Sequence, residues 1–321
     1  MHGFTVTARQ IPSTQLVRSA AVLHVAPAKI MRDYYAVSET DDALRLVVGD
    51  MANNIAGTAV SLPELAAWAG LPADMRLNGG LAGSLACRQQ LIKSRASGAG
   101  LVKAANEILK NTYKICGLHN IRDPASRFTG YVTHVGITPE HTTITAVGDV
   151  FAWVNGTLVA GAGKQIDTEK SLLVSALLVG MATDGSQLVV EQFIQKARLD
   201  GATAAALRQR VAALETAPPD RQAIYKAVDE TITPWHIRHL QNKPRSTHPW
   251  TYGAIDGTTT PAMFIQTVTF PTKELQTLVV ATDGSAPLQP GAAVRKGNDL
   301  QPVNSEFSEQ TIVAVRRNNR T

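Results

Sequence analysis

Short apolar runs of strand length alternate along this chain with longer stretches of helical period. Ser19–His24 and Tyr34–Ser38 predict two strands joined by the polar-flanked Pro27–Asp33 connector, and Leu44–Gly49 returns as a third after the Asp41-Asp42 turn. In an antiparallel pair made of Tyr34–Ser38 and Leu44–Gly49, Asp33 before one strand and Asp50 after the other lie at the same end. Pro63–Trp68 and the long region Leu81–Lys114 repeat Leu, Val, Ala and Ile at helical spacing, with Gly98 and Gly100 dividing the second into two helices. From Thr129 the period changes to that of strands: Tyr131–Gly136, Thr142–Val147, Phe151–Val154 and Leu158–Ala160. Asn155-Gly156 between the last two is a strong hairpin signal, so this third reads as an antiparallel meander. Thr168–Glu215 turns helical again, rich in Ala and Leu. Thr231–Tyr252 has the least regular pattern, and Phe264–Phe270, Leu278–Ala281 and Thr311–Val315 complete the strands.

Two of the apolar runs lead into acidic residues. Leu44–Gly49 precedes Asp50, and Leu278–Ala281 precedes Thr282-Asp283-Gly284. A carboxylate at the end of a buried strand is costly to hold unless something positive meets it, and hard divalent cations take such oxygen ligands. The alternative is that both aspartates simply begin turns. Ala182–Ser186 repeats Ala281–Ser285 letter for letter, but the flanks differ, and only the second copy follows a β-branched run.

Composition narrows the classes. The chain has 321 residues, 44% hydrophobic and 18% charged, which predicts a packed core. A formal net charge of +5 lacks the clustering of a nucleic-acid binder, and the basic tail Arg316, Arg317 and Arg320 reads as a solvated end. Cys87 and Cys116 form no disulfide framework or thiolate metal pattern and read as reduced thiols. The first residues carry no hydrophobic signal run, and the longest apolar stretch, Leu172–Ala182, falls short of the roughly 20 residues of a membrane span. The reading is a soluble, cytoplasmic protein with neither nucleic acid nor membrane as partner. His236 and His239 share a helical spacing but lack a third zinc ligand, so Thr231–Tyr252, with its Trp, His, Lys and Arg, reads as a recognition loop.

Four motifs in order resemble the metal-dependent Ser/Thr protein phosphatases of type 2C, in their bacterial form. Arg32-Asp33-Tyr34-Tyr35 resembles the N-Q-D or M-E-D element, and Val48-Gly49-Asp50 the strand ending in D-G. Ala146–Asp149 with Asn155–Leu158 resembles the V-G-D-S element and its hairpin, and Thr282-Asp283-Gly284 the late D-G. The match spans roughly Lys29 to Arg316. The resemblance implies one α+β domain over residues 1–321, a four-layer α-β-β-α sandwich of two antiparallel sheets; the His, Trp, Lys and Arg of 231–252 read as an irregular flap near the mouth of the carboxylate cleft. It implies Mn²⁺ or Mg²⁺ as cofactor and a phosphoserine or phosphothreonine protein as substrate. Carried over by position, Asp50 bridges the metals and Met51 offers its carbonyl. Asp283 holds one metal and Asp33 binds through water. Asp50 and Asp283 are then the catalytic carboxylates.

The departures fall on that chemistry. The family's D-G-x-G-G reads Asp50-Met51-Ala52-Asn53-Asn54, and the phosphate-clamping Arg falls at Ala28, leaving Lys29 and Arg32 as substrate-binding candidates. The final metal-binding Asp appears as Ser308, with Glu309 one place on; Glu309 or Asp149 is the candidate stand-in. A weakened phosphatase that binds a phosphoprotein or regulatory partner is therefore the second reading. An N-terminal-nucleophile hydrolase ranks last, since nothing marks a cleavage site.

Overall fold

The computed structural model of the protein describes residues 3–12, 20–21, 26, 29, 31–52, 59–118, 123–215, 220–282 and 310–318. They divide into two compact units, Met1–Gly163 with Gly253–Thr321, and Lys164–Tyr252.

The first unit is α+β. Its strands are β1 (Phe4–Ile11), β2 (Tyr34–Glu39), β3 (Leu44–Ala52), β4 (Ala59–Ser61), β5 (Arg76–Asn78), β6 (Thr129–Ile137), β7 (His141–Val147), β8 (Phe151–Val154), β9 (Thr157–Ala160), β10 (Ile265–Pro271), β11 (Thr277–Ala281) and β12 (Gln310–Arg317). Its helices are α1 (Pro63–Trp68), α2 (Gly79–Leu91) and α3 (Gly98–Ile115). Two antiparallel five-stranded sheets run in the orders β1-β12-β11-β8-β9 and β10-β7-β6-β3-β2, and β4 and β5 form a small ribbon.

Alternation along the strands sorts the second sheet into two faces. Val47, Met51, Val132 and Val147 face α2 and α3 and pack with Leu81, Leu85, Leu101, Leu109 and Phe128. Leu46, Val48, Val135 and Ile144 occupy the other face and are fully buried. Leu278, Val280, Val313 and Val315 of the first sheet are buried too, and the two sheets meet where β12 nears β2 and β3 and β9 nears β7 and β10. Asn155 and Gly156 take φ of 49° and 84° and close the β8–β9 hairpin as Asn-Gly predicts.

The second unit is helical: α4 (Gln165–Ala182), α5 (Ser186–Ala197), α6 (Gly201–Leu214) and α7 (Arg221–His239). Asp220 caps α7 by accepting from Gln222 N and Ala223 N.

Several expectations are corrected. Thr231–His239 is not irregular: it is the last part of α7, where Ile224, Val228, Thr231, Ile232 and Trp235 share a buried face despite Pro234. Only 240–252 lacks regular structure. Ala20 and Ala21 are helical rather than extended, and the rest of Ser19–His24 lies outside the described residues. Asp50 does not follow β3 but lies inside it, paired with Tyr131. Arg317 is not a solvated end: its guanidinium donates to Leu275 O at 2.7 Å and to Thr272 O. Both cysteines are free, Cys87 buried and Cys116 half-buried.

Candidate functional site

The candidate site is built at the end of the sheets where β2 begins and β3 approaches its end. The register Tyr34↔Gly49 brings Asp33, the residue before β2, beside Asp50 across the two strands. Alternation from Val47 and Met51 puts Asp50 on the face away from α2 and α3. Asp33 is 5% exposed. Its Oδ2 accepts from the hydroxyl of Thr282 at 2.5 Å, and its carbonyl accepts from the Gln10 amide at 3.1 Å. Thr282 Oγ1 in turn accepts from Thr311 N at 3.0 Å, and Thr282 N donates to Thr311 O at 3.1 Å. Residues from β1, the end of β11 and β12 thus fasten the first sheet to Asp33 of the second. Thr282 is followed directly by Asp283.

Tyr34 lies behind this pair. Its ring covers Gly49, where a Cβ would collide with it. Burial, Cys87 and the Asp50 carboxylate all push the Tyr34 hydroxyl well above its ordinary pKa, so it stays a neutral phenol. Asp149 is 2% exposed and follows Gly148 (φ 77°), whose missing Cβ leaves room for the ring of Tyr131, the partner of Asp50.

Met51, the residue after Asp50, fills the helix-side face of β3. Its side chain is fully buried on the helix face, and a Cβ at Gly83 or Gly130 would run into it. Glycines on α2 and β6 thus give the room that a methionine at 51 takes. Arg32 is half-buried beside Asp33. Lys29 is exposed, and its ammonium donates to Gly70 O at 2.8 Å, just past α1. Asp283, Ser308, Glu309 and Ala28 lie outside the described residues. Among the described residues, no three His, Cys, Asp or Glu side chains form a metal cluster. His236 bonds Tyr252 through Nδ1 at 2.8 Å, and His239 lies 3.6 Å from Asp200.

Reading the sequence alone missed Gln10, Thr282 and Thr311 as the residues that hold Asp33. The signal for Gln10 was the alternation of Phe4, Val6 and Ala8 with polar residues, a strand pattern. Nothing local marks Thr311.

The donor set fits a hard dication in chemical type. Asp33 and Asp50 offer carboxylate oxygens and Met51 a peptide carbonyl, the donors that Mg²⁺ and Mn²⁺ take.

Among the described residues, no helix is long and apolar enough to cross a membrane. No protein-family model and no curated protein matches the chain. Solved structures do. A bacterial serine phosphatase aligns with TM-score 0.49 at 8% identity, covering 99% of this chain and 99% of that one. The serine/threonine phosphatase Stp1 from Staphylococcus aureus aligns with TM-score 0.47 at 9% identity, covering 98% and 94%. The Mycobacterium tuberculosis serine/threonine phosphatase PstP/Ppp aligns with TM-score 0.43 at 10% identity, covering 98% and 98%. The first unit, two antiparallel five-stranded sheets with α2 and α3 packed on one face of the second, is an α+β fold.

Proposed function

We propose that the protein is a metal-dependent phosphoprotein phosphatase whose centre is the end of the sheets holding Asp33 and Asp50. The observation that carries this reading is the Thr282 hydroxyl on Asp33 Oδ2 at 2.5 Å, with Asp33 beside Asp50 across β2 and β3. Asp50, the Met51 carbonyl and Asp33 would hold a divalent ion there, with Asp283, one residue beyond Thr282 in the sequence, as a further ligand. Glu309 would stand in for the family's last aspartate. When bound, such an ion would supply a more acidic water for in-line attack on phosphorus. Asp33 and Asp50 would orient the attacking water, and Lys29 and Arg32 would offer positive charge to the phosphoryl group. Lys can supply a point charge but not the bidentate fork of Arg, so substrate is held less rigidly at 29. Its substrate is a phosphoserine or phosphothreonine protein, and its place of action is the cytoplasm.

A second reading has one specific observation behind it. Met51 stands where the family carries glycine and is sealed between Gly83 and Gly130. This favours a weakened phosphatase that binds a phosphoprotein or regulatory partner. Two measurements separate the readings. One is hydrolysis of para-nitrophenyl phosphate with added Mn²⁺, beside Asp50→Ala and Asp283→Ala. The other is the Mn²⁺-induced shift in melting temperature. The proposal expects turnover and a shift of several degrees, since saturating a site about 100-fold above Kd adds about 2.7 kcal/mol. Both are lost in Asp50→Ala. A Mn²⁺ shift without turnover supports the weakened phosphatase. No Mn²⁺ shift, or one that survives Asp50→Ala, refutes the metal centre.

A further inference from the structure

The opposite end of the second sheet holds a cavity of about 520 Å³ that the phosphatase reading does not use. Its floor is one row of the helix-side face, Arg45↔Gly136↔Thr143, and the row behind it, Val47↔His134↔Thr145. The α2–α3 loop, Arg95 to Ser97, forms one wall, anchored where Gly98 N donates to Thr145 Oγ1 at 2.7 Å. Two features mark it as a built site. Gly136 sits inside a strand with no positive φ to require it, and a Cβ there would find nothing within 4 Å. A glycine inside a strand weakens it, and open space above one is the pattern of close approach by a ligand. His134, 4% exposed, lines the same cavity, and its Nε2 is buried with no hydrogen-bond partner.

The chemistry of the walls points to an oxyanion. Arg45 and Arg95 both line the cavity, and among the described residues neither is in an ion pair. Asp42, which also lines the cavity, is held below its ordinary pKa by the Thr40 hydroxyl first, then by a backbone hydrogen bond, with smaller contributions from Arg95 and Arg45. Arg offers a planar fork that matches carboxylate and phosphate alike. His134 lines the same cavity, and the void over Gly136 gives the anion its place.

We infer that this cavity binds a small oxyanion, a phosphate or carboxylate group, through Arg45, Arg95 and His134, with the space over Gly136 as its seat. The site stands apart from the Asp33–Asp50 end of the sheet and does not depend on phosphatase activity.

The test is a titration of the full chain, in EDTA so that no metal-bridged anion forms at the other end. Inorganic phosphate is used in one arm and succinate in the other. Binding is followed by calorimetry and by the His134 ring signals in NMR. The inference expects saturation by at least one of them with Kd of about 1 mM or tighter, and His134 signals that move with it. Binding of phosphate alone assigns a phosphoryl ligand, and of succinate alone a carboxylate. Gly136→Val fills the seat and abolishes binding, while the melting temperature holds or rises because valine suits a strand. Arg95→Ala weakens binding about tenfold or more, and Asp42→Asn, which removes the competing carboxylate, tightens it. If neither anion saturates, or if affinity survives both Gly136→Val and Arg95→Ala, the inference is overturned.

Discussion

Thr282→Val replaces one side chain by another of nearly the same shape, so it isolates the hydroxyl that links the two sheets at Asp33. Thr282 is fully buried. Its hydroxyl donates to Asp33 Oδ2 at 2.5 Å and accepts from Thr311 N at 3.0 Å. Valine deletes both bonds and turns a methyl toward a carboxylate and toward a backbone N–H. A hydrogen bond to a charged group contributes about 1.5–3 kcal/mol, and a stranded buried N–H costs about 1–3 kcal/mol. Valine's better transfer out of water offsets part of this, and the expected net loss is about 3 kcal/mol. For a unit of 150–250 residues each kcal/mol shifts the melting temperature by about 2–4 °C, so the drop is about 6–12 °C. Thr282→Ser is the control. It keeps both bonds, loses one methyl, and costs about 1 kcal/mol. Thermal melting and urea unfolding of wild type and both variants measure the difference. The valine variant should also show a smaller Mn²⁺ shift than the serine variant, because Asp33 loses the group that orients it. If valine falls within about 0.5 kcal/mol of serine, the Thr282–Asp33 bond does not stabilise the fold and the account of this end fails.

Two further perturbations probe the first unit. The buried Asn106 accepts from Asp256 N and Gly257 N, both at 3.0 Å, and donates to Val102 O at 3.2 Å and Thr260 Oγ1 at 3.1 Å; Asn106→Leu strands the two loop N–H groups and should cost about 3 kcal/mol in urea unfolding, while a loss below about 1 kcal/mol would show that the 254–260 loop does not depend on it. Burial, and then Arg45, lower the His134 pKa to about 4. The unfolded chain takes up this proton below about pH 6.5 and the folded chain only near 4, so the stability it contributes is complete above pH 6.5 and is lost as pH falls through that window, at up to about 1.4 kcal/mol per pH unit. Wild type should therefore lose more melting temperature between pH 7 and 5 than His134→Gln, and equal slopes would contradict a neutral, buried imidazole.

The strands and most helices were legible because each carries its own local signal. The period of two in Thr142–Val147 and Phe151–Val154, the Asn155-Gly156 turn and the apolar spacing of Leu101–Leu109 depend on neighbours a few residues away. The adjacency of Asp33 and Asp50 follows from the same source, since one tight hairpin sets both ends. Helix α7 was obscured by Pro234 and by its Thr, His and Trp content, although Ile224, Val228 and Ile232 already repeat every four residues; burial of that face outweighs weak propensity. β1 is a modest alternation that becomes a strand because β12, about three hundred residues away, offers it an edge. Other features had no local sign at all. The place of Asp50 inside β3 is decided by β6, which continues pairing through Asp50 to Ala52. Room for Met51 comes from Gly83 on α2 and Gly130 on β6, and the hold on Asp33 comes from Gln10, Thr282 and Thr311 on three distant segments. Gly136 reads in sequence as a plain strand glycine; that it leaves a void beside Arg45 and His134 is set by where the α2–α3 loop packs. Periodicity encodes which way a side chain faces, but what it meets there depends on segments brought together only when the sheets close.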